Sequence, residues 1–158
     1  MAGPYFNDPI FFESVSAVTA TPSVELGRKR TDGANEYIYV YNTGDQMINP
    51  TYGAVLNSAV SNYSVSVSSV CQSSRYLGVV KHSTIPTGQY GWLLTRGFTQ
   101  VEMGATESAA AGGPLAAAIN GTFLGPVTGA VGLPNSPVGV AISAVASGAS
   151  TGAWIYAY

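Results

Sequence analysis

The chain has 158 residues, of which 46% are hydrophobic and 9% charged, with a net charge of −2 at neutral pH. Ordinary soluble proteins carry about 25% charged residues. Disordered chains are rich in charge and poor in apolar residues, so this composition excludes disorder, and the missing basic face argues against nucleic-acid binding. The length suits one domain spanning residues 1–158. Such a compact, charge-poor chain keeps little free surface, as a protein embedded in an assembly does.

Residues 1–13, MAGPYFNDPIFFE, show no period. Pro4 and Pro9 disfavour helix and push their neighbours toward extended backbone. An extended N-terminal arm bearing Tyr5, Phe6, Phe11 and Phe12 has to lie against something, either its own domain or a neighbour. No basic region leads into an apolar run, so a secretion signal is not expected and the chain reads as made in a reducing cytosol.

Residues 14–158 read as a β core. Residues 14–30 hold two short apolar/polar runs split by Thr21-Pro22 and end on Gly27-Arg28-Lys29-Arg30. The basic trio is either a solvated strand end or a contact for an acidic partner surface. Asp32-Gly33 is a turn. Residues 36–42, EYIYVYN, predict a strand with Tyr37, Tyr39 and Tyr41 on one face and Ile38 and Val40 on the other. With both faces apolar, it is either central or covered by a partner. Asn42-Thr43-Gly44-Asp45 ends it. Residues 63–68, YSVSVS, predict another strand with Tyr63, Val65 and Val67 inward, the serines outward, and a bulge at Ser68-Ser69.

The stretch from Arg75 to Val101 predicts a strand, a Pro/Gly turn and a long aromatic strand. In the latter, Tyr90, Trp92, Leu94, Arg96, Phe98 and Gln100 alternate with Gly91, Leu93, Thr95, Gly97, Thr99 and Val101. Trp92, Leu94 and Phe98 are core candidates. Gly91 and Gly97 would let a second layer approach. From Ser108 onward no side chain is charged. Gly and Pro recur too often there for a stable helix or a membrane span, so short strands are expected over 115–119, 121–125, 138–146 and 152–158. Asn120-Gly121 is a hairpin turn. Gly78-Val79 leading to Gly91-Trp92 is loosely echoed by Gly139-Val140 leading to Gly152-Ala153-Trp154, and the two units could pair in one barrel.

Chemistry is sparse. Cys71 is the only cysteine, which excludes disulfides and cysteine zinc clusters. His82 is the only histidine and stands beside no nucleophile motif. The acidic residues do not cluster with it as metal ligands would. No glycine-rich stretch ends in a phosphate-binding Lys-Ser or Lys-Thr. No enzyme, cofactor or metal is expected. What remains is intermolecular: an assembly protein, or a ligand-binding module that uses exposed aromatics as stacking platforms for carbohydrate.

The run LGVV-x5-P-x-GQYGW continuing through LLTRGFTQV, the later VGVAISAVASG-x-STGAWIYAY, and the earlier LGRKRTDGANEYIYVYNTG resemble the capsid cement, or decoration, proteins of tailed-bacteriophage heads. The resemblance spans residues 25–158. It implies a compact antiparallel β-barrel or β-sandwich of jelly-roll type on the outer capsid surface of the virion, made in the host cytoplasm. It also implies a homotrimer or a dimer, clamping of neighbouring major capsid protein subunits, and no catalysis, nucleic acid or membrane. The residues expected at the capsid are Tyr5, Phe6, Phe11 and Phe12 of the arm, with Arg28, Lys29 and Arg30 as steering charge. The other reading is a virion-associated adhesin or carbohydrate-binding module of a tail or head spike.

Overall fold

The computed structural model describes residues 13–57, 63–67, 76–125 and 137–157. Ten strands account for nearly all of its regular structure: β1 Lys29–Asp32, β2 Asn35–Asn42, β3 Gly53–Leu56, β4 Ser64–Ser66, β5 Tyr76–Val79, β6 Tyr90–Glu102, β7 Pro114–Ala117, β8 Phe123–Leu124, β9 Gly139–Ala141 and β10 Ser150–Tyr156. The all-β expectation is met. No helix among the described residues is long and apolar enough to cross a membrane.

Five strands close a barrel in the order β2-β4-β3-β5-β6, with β6 returning to β2. Four of its seams are antiparallel, and β2 lies parallel to β4 through Tyr41↔Ser64 and Asn42↔Val65. Its interior is filled by Ile38, Val40, Ile48, Ala54, Val65, Leu77, Val80, Ile85 and Leu93. Gly78 makes the β5–β6 seam possible, because a Cβ there would lie 2.5 Å from the Leu94 carbonyl oxygen. Buried Asn42 pins the turn after β2. Its Nδ2 donates to the carbonyls of Gln46 and Ile85 at 2.9 Å each, and its Oδ1 accepts from the Gly44 N–H at 3.0 Å.

The remaining strands bond outside this barrel. β1 pairs with β2 as an edge, while β10, β9, β7 and β8 follow from the second half of β6. These later strands repeat the connectivity of the first set. The antiparallel bridge Ile48↔Ile85 has its counterpart in Ala109↔Val145, and the parallel β2–β4 contact in the parallel bridge Met103↔Phe123. The β3–β5 pairing recurs as β7–β9, β5–β6 as β9–β10, and β2–β6 as β6–β10. The long strand β6 therefore serves both units, as the last strand of one and the first of the next. The second unit has its own core of Val101, Met103, Ala109, Leu115, Ala117, Phe123, Val138, Ala141, Ala153 and Ile155, joined by Tyr76 and Val79 of β5.

Several expectations shift in detail. The segment 138–146 is a strand only to Ala141, after which the chain turns and makes the isolated bridge at Val145. The segment 121–125 shortens to β8, because Ile119–Gly121 form a tight 3-10 turn with Asn120 and Gly121 at φ 55° and 75°. Only Asn and Gly readily take such angles, which is what the hairpin reading requires. Ser64, expected outward, is buried between β2 and β3, where β4 pairs on both edges. The N-terminal arm through Phe12, Cys71 and the bulge at Ser68-Ser69 lie outside the described residues.

Candidate interaction surface

β6 changes character halfway along. Beside β2 its two faces are both covered: Leu93 points into the barrel, while Trp92 and Leu94 join Tyr37, Tyr39 and Val15 in a cluster on the outer face. Val24, Leu26 and Tyr90 pack against that cluster. The cover is the irregular segment 13–27. Its Thr19 makes a two-way backbone bridge with Tyr90, at 3.1 and 2.9 Å. The Tyr39 hydroxyl, fully buried, meets Thr19 Oγ1 at 3.1 Å, the Ser23 N–H at 3.2 Å and Ser23 Oγ at 3.0 Å. Both faces of the 36–42 strand are thus inside, as an apolar strand of that kind requires.

Beyond the register shift at Glu36/Tyr37 the cover stops. Gly97, Thr99 and Val101 stay buried, but Arg96, Phe98 and Gln100 emerge. Phe98, expected in the core, is 46% exposed. Alternation had assigned it correctly to the face of Trp92 and Leu94, but segment 13–27 does not extend over it. Its cross-strand partner on β10 is Trp154, which is 42% exposed, and Trp154 in turn pairs with half-buried Val140 on β9. In the adjacent row Gln100 pairs with Gly152, whose carbonyl accepts from the Ile142 N–H at 2.9 Å. Ile142 is 55% exposed. A Cβ on Gly152 would lie 3.0 Å from the Phe98 ring and 4.0 Å from Ile142 Cβ, so the missing side chain lets the ring lean over that site. The result is an outward apolar strip, Phe98–Trp154–Val140 with Ile142, on the outer face of β6, β10 and β9. Arg96 bounds it at one end, 3.6 Å from Glu36 across two exposed side chains, and Glu102 at the other.

The equivalence of the two units gives this strip its meaning. Phe98 and Trp154 occupy places in the second unit that correspond to Tyr37 and Leu94 in the first, since the cross-strand pair Tyr37↔Leu94 of β2–β6 recurs as Phe98↔Trp154 of β6–β10. In the first unit that face is sealed by segment 13–27. In the second it is open.

Arg28, Lys29 and Arg30 lie at and just before edge strand β1; Arg28 and Lys29 are exposed and Arg30 is half-buried, donating to the Glu13 carbonyl. Charge on an edge strand discourages unwanted strand pairing. The structure does not bring this trio onto the strip. Tyr5, Phe6, Phe11 and Phe12 lie outside the described residues. Gly91 accepts the close approach expected of it, since a Cβ there would meet Ile85 at 2.7 Å, whereas Gly97, at φ 129°, makes room for Asn35 at the start of β2 rather than for a second layer. The strip was missed in the sequence, although Phe98 set between Arg96 and Gln100 was its signal: a large apolar residue between two polar ones on one face of a strand.

His82 is exposed, with Nε2 3.3 Å from the Tyr37 hydroxyl and the rings stacked at 6.0 Å. Partial burial and neighbouring Lys81 lower its pKa, and burial raises that of Tyr37. A neutral imidazole beside a protonated phenol is consistent with both directions. An open cleft of about 580 Å³ between the units is lined by Tyr52, Glu102, Met103, Glu107, Asn120 and Thr122, among others. Among the described residues no group of three His, Cys, Asp or Glu is placed to hold a metal.

No family model matches the chain, and a search of curated proteins finds no match. Among solved structures the chain is similar to the N base of the head fibre gp8.5 of bacteriophage phi29, with a TM-score of 0.48 and 11% identity over 75% of this chain and 93% of that one. A likeness of that degree does not decide function.

Proposed function

We propose that the chain is a structural protein of a bacteriophage head, and within that class a cement protein that binds the outer capsid surface and clamps neighbouring major capsid subunits. The observation that carries this reading is the exposed strip of Phe98, Trp154, Val140 and Ile142 on a chain with only 9% charged residues. A protein built to remain free would carry charge at such positions, because contiguous exposed apolar patches mark interaction sites or aggregation hazards. The sequence patterns shared with decoration proteins point to which assembly. The stretches that carry them, from Leu77 and from Val138, build β5–β6 and β9–β10, the four adjacent strands at the middle of the structure. The mechanism is burial of apolar surface across capsomer boundaries, repeated by symmetry, with no catalytic step. The arm residues Tyr5, Phe6, Phe11 and Phe12 contribute apolar contact, and Arg28, Lys29 and Arg30 steer the approach.

Heads lacking the protein provide the test. Purified full-length chain added to them should co-sediment, saturate at a ratio commensurate with the capsomers, and delay release of DNA on heating. Deleting residues 1–12 should weaken attachment and leave the fold intact. Absence of co-sedimentation would overturn the reading. One observation favours a second possibility: Trp154 and Phe98 stand exposed near Arg96 and Gln100, as the stacking and hydrogen-bonding groups of a carbohydrate site do. Binding to glycans with none to heads would select that adhesin reading.

A further inference from the structure

We infer that the outer face of β6, β10 and β9 seats a second copy of this chain, packed face to face about a two-fold axis that runs across the strands. The inference concerns the strip that also supports the proposed function: a strip sealed by a second copy leaves capsid contact to the arm and the basic trio, and the test below separates the two uses.

The first argument is the need for cover. The corresponding face of the first unit is sealed by residues 13–27, and Tyr37, Tyr39, Trp92 and Leu94 on it are at most 3% exposed. In the second unit Phe98, Trp154 and Ile142 are between 42% and 55% exposed. Strand β6 is shared, so the chain entering the second unit is already a paired strand and supplies no counterpart of segment 13–27 among the described residues.

The second argument is self-complementarity. The row Thr99↔Ala153↔Ala141 runs across β6, β10 and β9 and points into the core. A two-fold axis parallel to that row, lying in the contact plane above it, exchanges what stands on either side. Arg96 of one copy then faces Glu102 of the other, and both ends of the contact gain an opposite-charge pair. Trp154 faces the position of Gly152, which carries no side chain, and meets the ring of Phe98 leaning over it. Val140 faces Ile142. Aromatic ring thus meets aromatic ring and positive meets negative, with no buried like-charge contact. Homodimer contacts are isologous in this way.

The third argument is size. The largest apolar patch on a typical monomer is roughly 300–600 Å², and a standard interface buries about 800 Å² on each partner. A strip of four apolar side chains is suited to the dry centre of such a contact, with Arg96, Gln100, Glu102 and Ser150 as its rim.

The test is the association state of the full chain, followed by sedimentation velocity from low micromolar to high micromolar concentration, with circular dichroism as the folding control. Wild type should be a dimer that dissociates on dilution, and Trp154→Ser should be a folded monomer. The decisive arm is a charge exchange, run in a Glu36→Gln background to remove the partner Arg96 has within its own chain. Arg96→Glu alone and Glu102→Arg alone should each weaken dimerisation about tenfold or more, and the two together should restore it. A misfolded variant cannot produce that rescue. Monomeric wild type throughout the range, a trimer, an unaffected Trp154→Ser dimer, or failure of the double exchange to restore association would each overturn the inference. Monomeric wild type whose Trp154→Ser variant loses head binding would assign the strip to the capsid. Dimerisation only after removal of residues 1–12 would assign it to the chain's own arm.

Discussion

Gly78→Ala should destabilise the fold by about 3 kcal/mol, because the barrel has no slack at that point. Gly78 lies in β5 where the strand crosses β6, and the register records a single pair, Val79↔Leu94, along the whole seam. A Cβ at Gly78 would stand 2.5 Å from the Leu94 carbonyl oxygen, 3.1 Å from its carbonyl carbon and 3.2 Å from Leu93 Cβ. Ordinary contact begins near 3.4 Å, so the strands would have to part by about 0.9 Å, the gap between those two distances. The obstructing atom belongs to the backbone of a strand buried on both faces, and no side-chain rotation relieves it. Overpacking costs about 1–3 kcal/mol, and an immovable neighbour sets the upper end. For a chain of this size that is a fall in melting temperature of roughly 6–12 °C. Urea unfolding followed by fluorescence, with the m-value checked against wild type, measures it. Gly148→Asn is the control: its φ of 68° suits Asn, nothing lies within 4 Å, and it should cost less than about 1 kcal/mol. If Gly78→Ala unfolds within about 0.5 kcal/mol of wild type, the seam is not closed as described.

Asn42→Ala should cost about 1–3 kcal/mol in the same assay, since three hydrogen bonds at a fully buried side chain are lost, while the Ile85 carbonyl keeps its bond from the Ile48 N–H. Tyr76→Phe should stabilise by about 1 kcal/mol, because the Tyr76 hydroxyl is buried without a hydrogen-bond partner among the described residues while its ring packs edge-on against Phe123. Burial raises the pKa of Tyr76 well above 10. The folded state therefore holds that proton more tightly than the unfolded state, so stability is full below about pH 10 and falls as pH rises beyond it. Unfolding curves across pH 8–12 should show this loss, reduced in Tyr76→Phe. Replacing Arg28 and Lys29 with Gln should slow association with heads severalfold at low salt and leave the rate at high salt nearly unchanged, as stopped-flow light scattering would show.

Local patterns in the sequence were legible wherever one strand's own side chains settled the matter. The Tyr/Val alternation of β2, the Pro/Gly turn into β6 and the Asn120-Gly121 hairpin all follow from φ/ψ preference and two-residue periodicity. Phe98 shows the limit. Periodicity assigns a side chain to a face, but whether that face is covered depends on a segment some seventy positions away in the chain. Similarly, the Gly-Val part of the echo is in register, Gly78-Val79 with Gly139-Val140, and the two hairpins pair through β6 and β10, but the Gly-Trp part is not, since Trp154 takes the place of Leu94. What the echo could not reveal is that the whole connectivity repeats, because backbone pairing recurs here with little side-chain identity. The parallel β2–β4 contact is invisible for the same reason: pairing direction is set by the path of the chain, not by the strand. As for the candidate site, the basic trio was placed at a strand end, where it stands, while the strip emerged only once cross-strand partners were known.

The account rests on the claim that this chain works as part of a phage head, and electron cryomicroscopy of heads with and without the protein addresses that most directly. At saturating occupancy, the difference map should show density the size of this two-unit fold on the outer surface, seated across boundaries between capsomers. Heads that show no added density, or density confined to a tail or to a spike that bridges no subunits, would contradict it.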